Sequence, residues 1–179
     1  MKTKNLDDST FHLVKNSNLF DVIRSRIDAG INGSSIIVPH VCNNVNAFGA
    51  GFAGQISEFY PQVKANFHVL GHQSKLGHTQ FIKVKENKQY GYSITFANMI
   101  AQNKLINSNN KRPLNYAALV YCMNQVKLYA KDLKKKDDSS KVEIHAPKFG
   151  SGLAGGNWDF ISCLINDIWS DLSVFIYHK

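Results

Sequence analysis

Two glycine clusters hold the residues of this chain best suited to chemistry. The first, Gly49-Ala50-Gly51, ends the polar stretch Pro39-His40-Val41-Cys42-Asn43-Asn44-Val45-Asn46-Ala47-Phe48 and runs directly into Phe52-Ala53. Glycine lets a backbone come close to a ligand and take positive φ. A helix starting there presents unpaired N–H groups and partial positive charge to a phosphate. Taken singly, a Gly-x-Gly before a helix is more often only a tight turn. The second cluster, Gly150-Ser151-Gly152-Leu153-Ala154-Gly155-Gly156, follows Ile144-His145-Ala146-Pro147-Lys148-Phe149 and leads into Asn157-Trp158. Four glycines in seven positions exceed what a strand-to-helix turn needs. No Gly-Lys-Ser/Thr follows, which excludes a P-loop, and the cluster does not fit the dinucleotide fingerprint, which needs GxGxxG in the first βαβ unit with an acidic residue about 20 positions on. The pair predicts a diphosphate gripped from two sides by backbone amides.

Two polar side chains stand beside the first cluster. His40 carries an imidazole, which near neutral pH serves as general acid or base; a histidine at a strand end is also commonly structural. Asn43 is placed to touch a ligand or to close an Asx-turn at the strand exit.

The elements that position these loops follow from patterning. Phe11–Val14 reads as a short strand and Leu19–Ile27 as a short helix. Ser35–Val41 is apolar on both faces, as a strand buried between two layers must be. Pro39 is expected at its end, since proline donates nothing to a ladder. Phe52–Phe59 has a helical apolar face ended by Pro61, and Val63–Leu70 continues as a second helix. Gln80–Lys85 and Tyr90–Phe96 form a hairpin around Glu86-Asn87-Lys88. The asparagine-rich 98–110 segment reads as a loop carrying some helix. Leu114–Leu133 is the longest helix, started by Pro113. Val142–Ala146 is a strand, Trp158–Leu172 a helix with Trp158 as a core anchor, and Val174–Tyr177 a closing strand. Strands alternating with helices predict a three-layer α/β/α domain.

The stretch from Cys42-Asn43 to Gly49-Ala50-Gly51-Phe52-Ala53, together with Gly150-Ser151-Gly152-Leu153-Ala154-Gly155-Gly156-Asn157-Trp158 and Phe96-Ala97-Asn98-Met99-Ile100-Ala101-Gln102, resembles the macro domain family. The likeness runs from Phe11 to Tyr177 and is nearest the branch of ADP-ribose 1''-phosphate phosphatases and ADP-ribosyl hydrolases. It implies one α/β macro domain over residues 1–179 with a central mixed sheet, a core of about 11–178 and a flexible 1–9. It implies an ADP-ribose-type ligand, free or on a modified macromolecule, held at the C-terminal ends of the strands. Asn18, with Leu19 beside it, occupies the family's acidic adenine-binding position; an Asn carbonyl accepts the same hydrogen bond without charge assistance. Asn43 matches the asparagine facing the distal ribose. Phe48, Gly49, Ala50, Gly51 and Phe52 match the first phosphate loop, and Phe149, Gly150, Ser151, Gly152, Leu153 and Ala154 the second. Asn98 is a candidate for orienting the ribose or a water. His40 and Asn43 are the catalytic candidates for hydrolysis at the distal ribose. Phe96 and Ala154 replace the lysine and aspartate of a deacylating branch, so that covalent mechanism is not expected. A module that binds ADP-ribose without turning it over is the alternative.

Composition sets the remaining bounds. At 179 residues, 44% hydrophobic and 19% charged, the chain is a globular single domain. It contains no run near the roughly 20 apolar residues of a membrane span. Its N-terminus lacks the apolar core of a secretory signal, so a cytoplasmic protein is expected; a monomer is expected as well. Cys42, Cys122 and Cys163 form no metal-ligand spacing; no metal or cofactor is expected, and all three read as reduced, apolar-context thiols. The formal charge of +8 favours anionic ligands. Lys131–Ser140 supplies much of it and reads as a solvated helix end and loop. Without an aromatic platform or a reading motif, nucleic acid is a weakly supported partner.

Overall fold

The computed structural model describes residues 10–71, 74–136 and 141–178. The expected flexible 1–9 and the loop following Lys136 fall outside the described residues. Six strands form one sheet in the order β1-β6-β5-β2-β4-β3: β1 His12–Lys15, β2 Ser34–Asn43, β3 Thr79–Asn87, β4 Tyr92–Gln102, β5 Lys141–Pro147 and β6 Ser173–His178. All pairings are parallel except β3 with β4, so the sheet is mixed. The helices are α1 Leu19–Asp28, α2 Gly51–Phe59, α3 Pro61–Leu70, α4 Tyr116–Lys136 and α5 Trp158–Ile168.

Two cores lie on opposite faces of the sheet. One joins α4 and α5 to the sheet through Leu119, Met123, Val126, Ile161, Ile165 and Trp169. The other joins α1, α2 and α3 through Phe20, Ile23, Ile56, Val63 and Phe67. A central strand covered on both faces must be apolar on both, and Ile36, Ile37 and Val38 are all fully buried. The three-layer α/β/α arrangement predicted from the pattern is the fold observed.

Several expectations need correction. Pro39 lies inside β2, paired with Ala97 of β4, and not at the strand's end. The β5 pairing stops at Ile37, so beyond that point β2 has a ladder on one side only and a missing N–H costs nothing on the other. The polar stretch Asn98–Gln102 is the end of β4, not loop: Asn98 is fully buried because its amide has partners on both flanking strands. Helix α4 begins at Tyr116, where the Asn115 side chain accepts from the Ala118 N–H, so an asparagine and not Pro113 caps it. Helix α5 stops at Ile168, four residues short of the expected end. Trp158 is only partly buried, with its ring under the Lys148 ammonium; Trp169 is the buried anchor, bonded to the Met123 carbonyl. Cys163 is exposed on α5, whereas Cys42 and Cys122 are buried as expected. Among the described residues, no helix is long and apolar enough to cross a membrane.

Candidate functional site

Three adjacent parallel strands, β5, β2 and β4, end at the same edge of the sheet, and a cleft of about 600 Å³ opens there. Its floor is His40, Val41, Cys42 and Asn43 from β2, Gln102 from β4 and Pro147 from β5. One wall is the first glycine loop with Phe48, Gly49, Ala50, Gly51, Phe52 and Ala53. The other is Lys148, Phe149, Gly150, Gly152, Leu153 and Ala154. Leu105 and Ile106 close one side and are nearly half exposed.

The first loop is shaped from within. Asn43 accepts from the Val45 and Ala47 N–H groups at 3.1 Å each and donates to the Ala47 carbonyl at 2.7 Å. Its carboxamide therefore forms the strand-exit turn and keeps one N–H without a protein partner among the described residues. Helix α2 then starts at Gly51 with no side-chain cap on its first turn, so its leading N–H groups stay available to a ligand. The loop folds back onto this helix so closely that a Cβ on Gly54 would lie 2.8 Å from the Gly49 carbonyl oxygen. The second loop is equally constrained: Gly156 N–H donates to the Gly150 carbonyl at 2.8 Å, and a Cβ on Gly156 would lie 2.6 Å from that oxygen.

Two glycines differ from these. Gly49 and Gly152, one in each loop, have no left-handed φ, and an added Cβ would meet no protein atom within 4 Å. Neither chain geometry nor packing demands glycine at these two places. Close approach of a ligand backbone would.

His40 is buried at the cleft floor, edge-on to Phe48 and Phe52. Its Nε2 lies 2.6 Å from Asn98 Oδ1, and its Nδ1 lies 3.6 Å from Cys42 Sγ. Desolvation lowers its pKa to about 4, with the Asn98 bond opposing that shift only in part. The expected imidazole titrating near neutrality is thus corrected: the ring is uncharged at physiological pH. Burial also raises the Cys42 thiol well above its ordinary value, so it is protonated. No acidic residue lines the cleft, and Lys148 is its one cation among the described residues.

The other predicted site residues sit as follows. Asn43, Phe48 through Phe52, Phe149, Gly150, Gly152, Leu153 and Ala154 are brought together in the cleft. Ser151 lies outside the lining, its hydroxyl donating to the Lys148 carbonyl at 3.1 Å. Asn98 reaches the cleft only through His40. Asn18 caps α1 by accepting from the Phe20 N–H and lines an open depression of about 450 Å³ that shares no residue with the cleft. Leu19 is buried in the core beside it. Phe96, which the resemblance matches to the lysine of a deacylating branch, is fully buried against Tyr60. Sequence reasoning missed Gln102, Lys148, Leu105 and Ile106. Lys148 had a visible signal, a cation directly before the second glycine cluster; the other three become neighbours only through β4.

No protein-family model matches the chain. A 17.5 kDa protein of the tk-vs intergenic region of Enterobacteria phage T4 is 24% identical over 144 residues, 78% of this chain and 83% of the phage protein. Among solved structures, a protein from Bacteroides thetaiotaomicron superposes with a TM-score of 0.72 at 23% identity, covering 93% of this chain and 98% of the other. A macrodomain protein from Streptomyces coelicolor gives 0.63 at 27% identity, covering 82% and 89%. DarTG of Thermosipho africanus, solved in complex with ADP-ribose, gives 0.61 at 15% identity; the match covers 93% of this chain and 41% of that longer one. The fold of this chain is the macrodomain fold.

Proposed function

We propose that the cleft binds ADP-ribose or a derivative of it, with the diphosphate between the two glycine loops and the distal ribose beside Asn43. The observation that carries this reading is the pair Gly49 and Gly152, whose missing side chains nothing in the protein explains. Uncapped N–H groups at the start of α2 and the Lys148 ammonium suit a diphosphate from opposite sides. The ADP-ribose bound by a structural neighbour of the same fold supports the same ligand class. Calorimetry with ADP-ribose, ADP and NAD tests it; tight RNA binding with no response to ADP-ribose sinks it.

Hydrolysis at the distal ribose, of a terminal phosphate or of a linkage to a modified macromolecule, is the further proposal. It is supported by the Asn43 N–H at the floor that has no partner among the described residues, which suits positioning of a water or ribose hydroxyl. His40 enters this reading as an uncharged group, without a carboxylate near it in the cleft. Incubation with ADP-ribose 1''-phosphate and with ADP-ribosylated protein decides between turnover and binding alone. Tight binding without product establishes the chain as a binding module.

A further inference from the structure

His40, Asn98 and Gln80 stand side by side across three strands, each the register partner of the next. Their hydrogen bonds form a directed chain that starts from a group with no choice of role. The Asn66 carbonyl on α3 only accepts, so Gln80 Nε2 donates to it at 2.8 Å. Gln80 Oε1 therefore accepts from Asn98 Nδ2 at 3.0 Å, and Asn98 Oδ1 accepts from His40 Nε2–H at 2.6 Å. The imidazole keeps its lone pair at Nδ1, and Cys42 Sγ lies 3.6 Å from Nδ1 and 3.8 Å from Nε2. In that orientation the ring makes T-shaped contacts with Phe48 at 5.7 Å and Phe52 at 5.8 Å between centroids. Those two rings bracket Gly49, Ala50 and Gly51.

We propose that Gln80, Asn98 and His40 are a positioning relay for the first glycine loop: it locks the imidazole in its Nε2–H tautomer, as an uncharged wedge that holds Phe48 and Phe52 and thereby the loop between them. The ligand consequence rests on the ADP-ribose reading above; the effect on the loop does not. An interior T-shaped contact between an imidazole and two aromatic rings depends on ring orientation, which a lone histidine would not fix. Charging the ring would place a cation against apolar core with only one neutral acceptor on it. The neighbouring titratable groups are few. Cys42 on the same strand is protonated, Phe48 and Phe52 carry none, and no charged side chain bonds to Asn98 or Gln80 among the described residues. His68 of α3 bonds Asn46 at 2.8 Å near the same loop, and Lys148 stands across the cleft.

The test reads the loop directly in the full chain. Amide hydrogen exchange at Gly49, Ala50 and Gly51 is followed by NMR, with the His40 state taken from its ring nitrogen shifts, in wild type, Asn98→Leu and Asn98→Asp. ADP-ribose affinity is measured alongside from pH 8 to pH 5. Asn98→Leu removes the acceptor, so both tautomers should appear and loop exchange should quicken about tenfold or more. Asn98→Asp places a carboxylate on Nε2–H, so His40 should charge within the range, with exchange and affinity following its titration. Wild type and variant share His68 and Lys148, so only the relay separates their profiles. Loop exchange unchanged in Asn98→Leu, or an Asn98→Asp profile superimposable on wild type while its imidazole is charged, overturns the relay. If Asn98→Leu does not fold, Asn98→Asp decides. A wild-type chain without affinity for ADP-ribose refutes the ligand reading alone, and loop exchange still decides the relay.

Discussion

Alanine at four glycines should separate what the loops do for the fold from what they do for a ligand. Gly49→Ala and Gly152→Ala add a methyl that meets no protein atom within 4 Å, at positions without a left-handed φ. The main folded-state cost is absent while the unfolded chain loses freedom, so each should leave stability unchanged or raise it by about 0.4–1 kcal/mol. On the proposed reading, the same methyl stands where the diphosphate meets backbone N–H groups. Losing one charge-assisted hydrogen bond costs about 1.5–3 kcal/mol, which is a 10- to 150-fold loss of ADP-ribose affinity. Gly54→Ala runs the other way. A helical glycine replaced by alanine ordinarily gains about 1 kcal/mol, but here the Cβ would lie 2.8 Å from the Gly49 carbonyl oxygen. Overpacking of this kind costs about 1–3 kcal/mol, so stability should fall and binding should fall with it as the loop shifts. Gly156→Ala, with its Cβ 2.6 Å from the Gly150 oxygen, should behave the same way at the second loop. Urea melts and calorimetry on the four variants read both quantities. Normal affinity in both Gly49→Ala and Gly152→Ala would refute the claim that these glycines exist for a ligand.

Three other outcomes are expected. The His40 pKa is about 4 when folded and near 6.5 when unfolded, so the unfolded chain binds more protons between those values and stability falls as pH drops through that window. The loss is about 3 kcal/mol at full extent, and denaturant melts of His40→Gln should show most of this pH dependence gone. Asn43→Ala removes three bonds to loop backbone and should cost about 1–3 kcal/mol, with faster amide exchange at Val45 and Ala47. Lys148→Met should weaken ADP-ribose binding several-fold and flatten its salt dependence, read by calorimetry at two ionic strengths, because it removes the one cation in the lining among the described residues.

How legible all this was depended on which force set each feature. Ile36, Ile37 and Val38 announce a doubly covered strand because burial on both faces leaves no polar position. Asn98 hid the end of β4, since a polar residue reads as loop until its partners are known. Those partners, His40 and Gln80, are 58 and 18 residues away, and no local periodicity links them. Pro39 was misplaced for a related reason: the cost of a missing N–H depends on whether a neighbour strand is still there to receive it. The glycines were visible at once, but sequence shows them as equivalent. Only the packing separates Gly54 and Gly156, which the fold forces, from Gly49 and Gly152, which it does not.

That distinction bears on what the basic charge of the chain is for. A formal charge of +8 would draw any polyanion, and charge alone could not tell a diphosphate from a nucleic-acid backbone. The cleft does not concentrate that charge. Its lining has one ammonium, an imidazole held neutral by burial and a protonated thiol. Lys127 and Lys131, by contrast, are spent on Asp171 at the surface. What the cleft offers an anion is therefore mostly oriented backbone N–H groups, fixed in place by Asn43, Gly54 and Gly156. Such dipoles act at short range and in set directions, so they reward an anion of one shape and leave others to the general field. If the cleft holds ADP-ribose as proposed, its selectivity resides in the set geometry of two loops, and the groups that merit mutation are those that hold the loops in place.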